Sequence, residues 1–371
     1  MPLTSGIVSI LGLLVLATSA LASPQVEGRL QTSFGRDSNP LETVREDLPS
    51  TESIEPDYFY RLQGESEITF RNTPVARRVG LSVRGFLERY DRLPSEARAQ
   101  AETRLQLDMR AGSKGGVVRL ETGWRARTYP DSTLRDFQRA WGSARARVRL
   151  GPKGSLQPRF EIWTQDYDRT NVRDQIGTGV ELAYEVTLRK DLTATLGLEV
   201  GGIRFDRSSL QVERLDDGNR IYLGPDQRDN HRLVRIGGRY LRRALIQLEY
   251  GFRSHRSNSI GSSFHRHEVR WLVSRGLPGG FSGQFYGNLE STHYTDKDLV
   301  DVIVIRVGEE EEASDDNNVF ALQLGRPLLR GWRVQLRHTW FRNESLLVGD
   351  YYQKRVWTLA LSWESGGFVG F

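Results

Sequence analysis

The sequence predicts an all-β fold, a transmembrane, antiparallel, up-and-down β-barrel of about sixteen strands. Segments in which apolar and polar residues alternate recur along the chain, and a period of two is typical of a strand with two different faces. The connections between these segments are alternately short and long. After residue 22 no stretch approaches the roughly 18 apolar residues of a membrane helix, whereas a barrel strand needs apolar residues only at alternate positions.

The N-terminus predicts a secretory signal peptide over residues 1–22. An apolar run, residues 7–16, is followed by small residues and by Ala20-Leu21-Ala22, which has the pattern of a cleavage site. No Lys or Arg precedes the apolar run, so an uncleaved anchor helix is the alternative. Cleavage after Ala22 would leave residues 23–371 as one barrel domain, with too few residues before the first strand for an N-terminal plug.

The strands follow from the alternation. In residues 141–151, WGSARARVRLG, three arginines alternate with Ala144, Ala146, Val148 and Leu150. The same pattern marks residues 96–112, with alanine and leucine on one face and charged residues on the other, and residues 174–189. The predicted strands lie near residues 26–36, 57–71, 76–90, 96–111, 116–128, 135–150, 157–167, 174–189, 192–206, 230–241, 244–256, 263–275, 280–294, 317–326, 331–343 and 354–371.

The connections favour a membrane barrel over a soluble sandwich. Every second connection is a tight turn such as GPKGSL, RKD or GLPGG, and most of those between are longer. Short turns on the periplasmic side and long loops outside are typical of such barrels. Trp332 and Trp340 share the outward face and predict two aromatic girdles. Two connections, 207–229 and 295–316, are candidates for an inward constriction.

Charged residues on the inward phase predict the lining of the barrel. Sixteen strands would enclose a lumen wide enough for water. Each lining arginine either pairs with a carboxylate across strands or contributes to a transverse field that favours anions. The predicted lining residues are Arg98, Arg104, Arg110, Arg119, Arg125, Arg145, Arg147, Arg149, Glu102, Asp108 and Glu121.

Composition excludes several kinds of site. The chain has no cysteine, which excludes disulfides and thiolate metal sites. The acidic run 309–312 is either a solvated surface or a weak calcium or magnesium site, and His265 and His267 lack a third ligand, so no metal site and no cofactor are predicted. The net charge is +5, but the arginines alternate with carboxylates rather than forming one patch, so nucleic acid is not an expected partner.

The C-terminus resembles that of Gram-negative outer-membrane proteins. The phase set by Trp357 and Trp363 continues to the terminal Phe371, and proteins of this class end in an aromatic residue on an amphipathic last strand. The resemblance implies an outer-membrane location, contact with membrane lipid and lipopolysaccharide, and recognition of Phe371 by the barrel-assembly machinery. The stretch GRDSNP (35–40), followed by a long loop and DYFYRLQGE, is similar to the first hairpin of β-barrel porins and of barrels tied to polysaccharide or lipoprotein export.

These observations predict a passive channel for small polar or anionic solutes. The alternative is a barrel for export or surface assembly of a polysaccharide or lipoprotein, and a structural barrel closed by Arg–Glu pairs is a third possibility. HRSNS (255–259) is similar to a stretch of outer-membrane phospholipase A. Alternation places His255 and Ser257 toward the lumen, however, and a phospholipase site must face lipid, so no enzyme is predicted.

Overall fold

The computed structural model is a closed barrel of sixteen antiparallel strands, which confirms the predicted fold class. The strands follow one another around the barrel in chain order, and β1 (Gln25–Asp37) closes the ring by pairing with β16 (Tyr351–Ser365). Closure pairs the edges of the sheet, and an open edge would expose unpaired backbone N–H and C=O groups to the hydrocarbon of a membrane. The structure describes residues 24–40, 55–71, 76–111, 116–130, 135–167, 174–215, 218–260, 262–295, 318–329, 331–344 and 351–365.

The strands between these two lie close to the predicted positions. Most have 13 to 15 residues, more than a soluble strand needs and enough to cross a bilayer at a tilt. They are β2 (Asp57–Arg71), β3 (Arg78–Tyr90), β4 (Arg98–Ala111), β5 (Gly116–Thr128), β6 (Phe137–Leu150), β7 (Gly154–Tyr167), β8 (Gln175–Arg189), β9 (Leu192–Leu215), β10 (Gly218–Leu241), β11 (Leu245–Ser257), β12 (Phe264–Gly276), β13 (Ser282–Tyr294), β14 (Val319–Pro327) and β15 (Trp332–Glu344).

The two faces of the wall separate as the alternation predicts. Large apolar side chains such as Leu198, Ile236 and Leu359 are exposed on the outer face. The side chains of Arg235 and Glu181 meet although β9 lies between their strands, which identifies their face as the concave inner one. On the outer face Trp332 lies opposite Trp363 near the short turns, and Trp340 lies eight residues further along β15. The tryptophans therefore occupy the positions expected of two girdles.

Tight turns lie at one end of the barrel. The turn before β15 contains Gly331, whose φ of 88° is the left-handed region. A Cβ at this position would lie 2.3 Å from the carbonyl oxygen of Glu364, so the turn needs glycine for both conformation and space. At the other end, pairs of buried aromatic side chains lie beneath the longer connections. Phe137 and Tyr167, with ring centroids 5.9 Å apart, form one of them.

One predicted connection is mostly strand. Residues 207–229 were expected to form a loop, whereas β9 extends to Leu215 and β10 begins at Gly218. The backbone of this extension pairs from Leu215 opposite Gly218 to Leu223 opposite Leu210, and the register shifts on either side of Asp226. Gly224 and Pro225 lie at this irregularity, and proline has no N–H to donate to the ladder. The hairpin therefore continues beyond the barrel wall with a bend at its base.

Smaller differences concern single turns. β7 begins at Gly154 rather than near residue 157, so the turn after β6 is shorter than expected. Single 3-10 turns span Pro94–Glu96 and Pro278–Gly280. Among the described residues, no helix is long and apolar enough to cross a membrane. The signal peptide 1–22, residues 296–316 with the acidic run, and Phe371 lie outside the described residues, and those predictions stay untested.

Candidate functional site

The inner face of β3 to β8 carries the predicted lining residues. Residues that lie opposite each other in neighbouring antiparallel strands point to the same face. Glu102 lies opposite Arg84 and Arg125, Asp108 opposite Arg119, and Arg119 opposite Arg145. Since these arginines and carboxylates share the phase of Arg159 and Glu181, they point to the barrel interior. We call this set of charges on β3 to β8 the inner charge ladder.

Glu102 is the most connected carboxylate of the inner charge ladder. It accepts hydrogen bonds from Arg84 Nη2 at 2.8 Å, Arg104 Nη2 at 3.0 Å and Arg125 Nε at 2.9 Å, which reach it from β3, β4 and β5. Its side chain is 3% exposed, while the three guanidinium groups are 23–41% exposed. The water-facing surface here therefore consists of guanidinium groups, with the carboxylate beneath them.

Other predicted lining residues form simpler pairs. Arg119 binds Asp108 through two hydrogen bonds, Nε to Oδ1 at 2.8 Å and Nη2 to Oδ2 at 3.1 Å. Arg98 Nε donates to Glu88 at 2.9 Å, and Glu88 also accepts from Arg61. Glu121 lies 3.5 Å from Arg104. A fork on a carboxylate fixes both position and orientation of the guanidinium group, so these pairs stiffen the wall.

A cationic strip runs across β5, β6 and β7. Arg145 lies directly opposite Arg119 on one side and Arg159 on the other. Arg119 binds Asp108 and Arg159 binds Glu161, but Arg145 has no carboxylate within 4.0 Å among the described residues. Within the same part of the chain Arg110 and Arg149 also have none, and both are exposed near the short-turn end. The strip therefore has a local excess of positive charge that faces inward.

Arg147 differs from its two neighbours on β6. Its Nη2 donates to Glu185 Oε1 on β8 at 2.6 Å. The contact passes over β7, where Pro158 has no N–H and the β6–β7 pairing is interrupted at Ala146 and Arg147. The ladder thus combines arginines bound to carboxylates with arginines that are free to contact solutes.

The opposite wall, β8 to β13, carries charges outside the set of lining residues predicted above. Arg235 donates to Glu181 at 3.1 Å and to Glu199 at 2.9 Å, and Glu199 also contacts His231 at 3.1 Å. Further along, Arg253 lies opposite Arg266 and Glu268 opposite Glu290. A recess of this wall is lined by Leu233, Gly251, Arg253, Arg266, Glu268, Arg270 and Glu290. The alternation already placed these residues inward, so their phase could have identified them.

Two inward tryptophans were also missed. Trp141 and Trp163 lie opposite each other on β6 and β7. A Cβ at Gly123 or at Gly177 would lie 2.2 Å from Trp141 or Trp163, so these glycines let the rings lie flat along the wall. Arg125 and Arg139 lie over the two rings, at 6.0 and 4.6 Å from the centroids. The tryptophans share the inward phase of Arg145, which is the signal that could have found them.

The extended β9–β10 hairpin leans toward the β11–β12 connection. Leu210 N donates to Ser259 Oγ at 3.0 Å, and Ile260 N donates to Leu210 O at 2.9 Å. Beneath this contact Asp229, 1% exposed, accepts hydrogen bonds from Gln227 and Ser257 and contacts His255 Nε2 at 2.9 Å. Asp229, His255 and Ser257 share the inward phase, so this network fixes the base of the hairpin from the inner face.

The HRSNS stretch therefore has a structural role in this network. His255 and Ser257 point inward, as the alternation predicted, and both contact the same carboxylate of Asp229. The other histidine pair faces outward. His267 Nδ1 lies 2.8 Å from the Tyr250 hydroxyl, and Phe252 packs against both His265 and His267. The described part of the chain contains no group of three or more potential metal-ligating side chains.

Solved structures to which the chain is similar include outer-membrane proteins. The chain is similar to OprB of Pseudomonas putida, with a TM-score of 0.52 and 7% identity over 95% of this chain and 96% of that chain. It is also similar to a loop L8 deletion mutant of OmpT of Vibrio cholerae (TM-score 0.46, 9% identity, 92% and 99% covered). A bacterial polysaccharide outer membrane secretin gives a TM-score of 0.44 at 8% identity, with 91% and 98% covered. No family model and no curated protein sequence matches the chain.

The fold defines the class of this protein. A closed sixteen-stranded barrel with an apolar outer face and charged inner face suits a bilayer in which strands replace helices. OprB, at a TM-score of 0.52, has the same type of fold. The protein is an outer-membrane β-barrel of the Gram-negative type and resides in the outer membrane.

Proposed function

We propose that the protein is a passive outer-membrane channel for small polar solutes and that its interior favours anions. The observation that carries this proposal is the cationic strip, in which Arg145 points inward between Arg119 and Arg159 without a carboxylate of its own among the described residues. Unpaired guanidinium groups on a wall attract anions and repel cations. Glu102, one of the carboxylates that could offset this field, lies beneath three arginines.

The pairing within the ladder supports a stable wall around such a path. Arg98, Arg104, Arg119, Arg125 and Arg147 each contact a carboxylate, so their main role is to fix the wall. Arg110, Arg145 and Arg149 remain available to solutes. We assign selectivity to these three residues and wall stability to the others.

The test is single-channel recording of the refolded full chain in a planar bilayer, with the reversal potential measured under a salt gradient. We expect stable open steps and an anion preference. Replacing Arg110, Arg145 and Arg149 together by Gln should lower the anion-to-cation permeability ratio severalfold, because it removes positive charges that attract anions. The ion pairs of the wall stay intact in this variant. The matched control replaces Arg242 and Arg243, exposed residues of the β10–β11 turn, and should leave the ratio close to that of the wild type.

Two outcomes would contradict the proposal. A correctly folded barrel without conductance would mean that the interior is shut, and export or surface assembly would become the better hypothesis. Equal reversal potentials in the wild type and the triple variant would show that these arginines do not set selectivity. We also propose that the protein is not an enzyme, since Ser257 Oγ donates to Asp229 and not to His255.

A further inference from the structure

A second group of arginines faces the membrane side of the barrel. Arg204 on β9, Arg228 and Arg232 on β10 and Arg256 on β11 have exposed side chains in the outward phase. They share this phase with the apolar residues Val200, Val234 and Phe252, which lie nearer the short-turn end of the same strands. We call these four residues the outer arginine cluster.

The strand register brings the four guanidinium groups close together. Arg204 lies directly opposite Arg228. Arg256 lies opposite Asn230, which places it diagonally between Arg228 and Arg232 on the neighbouring strand. Opposite residues have Cβ atoms about 5 Å apart and diagonal ones about 7–8 Å apart, so long side chains can converge on one ligand.

Within the described residues, only one arginine of the cluster has the carboxylate partner that accompanies most inward arginines. Arg204 Nη2 contacts Asp226 Oδ2 at 2.8 Å, and Asp206 lies exposed in the same phase. For Arg228, Arg232 and Arg256 the described residues provide no carboxylate within 4.0 Å. Like charges directly opposite each other destabilise a sheet unless an anion lies between them. Three of the four arginines therefore have no anionic partner in the part of the chain that the structure describes, and they can bind an anion from outside it.

The position of the cluster specifies the kind of anion. On β10 the outward residues change from Ile236 and Val234 to Arg232 and then Arg228, so the arginines begin where the apolar band ends. This is the level of lipid headgroups in an outer-membrane barrel. Guanidinium groups bind phosphate through paired, charge-assisted hydrogen bonds. A ligand that satisfies both parts of this surface has acyl chains below and phosphate groups above.

We propose that the outer arginine cluster binds the phosphate groups of a phosphorylated lipid of the outer leaflet, with the acyl chains against β9 to β11. This site is independent of the channel interior, because all four arginines point away from it. Binding here would anchor the barrel at a fixed depth beside the base of the extended hairpin.

The test measures lipid binding to the refolded full chain in detergent by native mass spectrometry, with diphosphoryl lipid A as the probe. The triple variant Arg228→Gln, Arg232→Gln and Arg256→Gln should bind at least tenfold more weakly than the wild type. The matched control replaces Arg242, Arg243 and Arg275, which are exposed at the short-turn end, and should bind like the wild type. Heat modifiability on gels verifies that each variant is a folded barrel.

Three outcomes decide the proposal. A selective loss in the cluster variant, with weaker binding of dephosphorylated lipid A to the wild type, would support it. Equal losses in both triple variants, or no loss in the cluster variant, would overturn it. Competition by millimolar inorganic phosphate as effective as that by the lipid would mean that the cluster binds free phosphate, which would also overturn the assignment to a lipid. A variant that fails to fold is replaced by Arg232→Gln alone, judged by the same comparison.

Discussion

Replacing Glu102 by Gln should destabilise the barrel, because the three arginines that contact the carboxylate would then surround a neutral amide. Removing one partner of a buried ion pair typically costs about 3–5 kcal/mol. The guanidinium groups of Arg84, Arg104 and Arg125 are 41%, 39% and 23% exposed, so water compensates part of the loss. We therefore expect the free energy of unfolding to fall by about 1–3 kcal/mol. Urea unfolding in lipid vesicles, followed by tryptophan fluorescence, measures this change.

The control for this prediction is the same substitution in an exposed pair. Arg92 Nη1 contacts Glu55 at 3.1 Å, with side chains 65% and 71% exposed. Exposed pairs contribute about 0–1 kcal/mol, so Glu55→Gln should unfold at nearly the same urea concentration as the wild type. If Glu102→Gln is as stable as Glu55→Gln, the reasoning that the carboxylate holds the three arginines together is wrong. A second readout is the reversal potential, which should shift toward greater anion preference in Glu102→Gln.

Three further predictions test other parts of the wall. Gly123→Ala should displace Trp141, alter tryptophan emission and lower the free energy of unfolding by about 1–3 kcal/mol. Gly142→Ala, whose Cβ would lie 3.9 Å from Ile162, should be close to the wild type in both readouts. Similar effects of both changes would argue against a tight fit of Trp141 on Gly123. Leu198→Arg on the lipid face should cost about 2–4 kcal/mol in vesicle unfolding, and inward Thr195→Arg should cost much less; the reverse order would invert the assigned faces. Ser259→Ala removes the acceptor of Leu210 N and should speed amide hydrogen exchange at Leu210 but not at Ile236, and unchanged exchange at Leu210 would show that the contact does not hold the hairpin.

Strands and tight turns could be predicted because both depend on local sequence. Each strand of this barrel pairs with its neighbours in the chain, so alternation and turn residues determine most of the topology. β15, for example, was expected at residues 331–343 and spans Trp332–Glu344. The strands within residues 207–229 were not predicted, because this segment is highly charged, contains Gly224-Pro225 and shows no clear alternation of apolar and polar residues. Their pairing depends on backbone hydrogen bonds, which side-chain patterns do not report.

The partners of each charge could not be predicted. Alternation shows that Glu102 and Arg125 share a face, but only the strand register shows that they lie opposite each other. A shift of two residues would keep every side chain on its face and exchange all ion pairs. That no described carboxylate lies within 4.0 Å of Arg145 has the same origin, since it depends on Arg119 and Arg159 being its neighbours. Site geometry in a barrel is therefore a property of register more than of composition.

The register also shows what arginine, the preferred cation of this chain, does in the wall; only five of the 52 basic residues are lysine. On the inner face one buried carboxylate serves several cations from neighbouring strands, as Glu102 does for three and Glu88 for two. Guanidinium groups can share a carboxylate in this way because their donors lie in a plane, and they are desolvated more readily than an ammonium group. Such sharing leaves more arginines than carboxylates on the wall. Around Arg145 the excess positive charge comes from the register, which places this residue between Arg119 and Arg159 and, among the described residues, within 4.0 Å of no carboxylate.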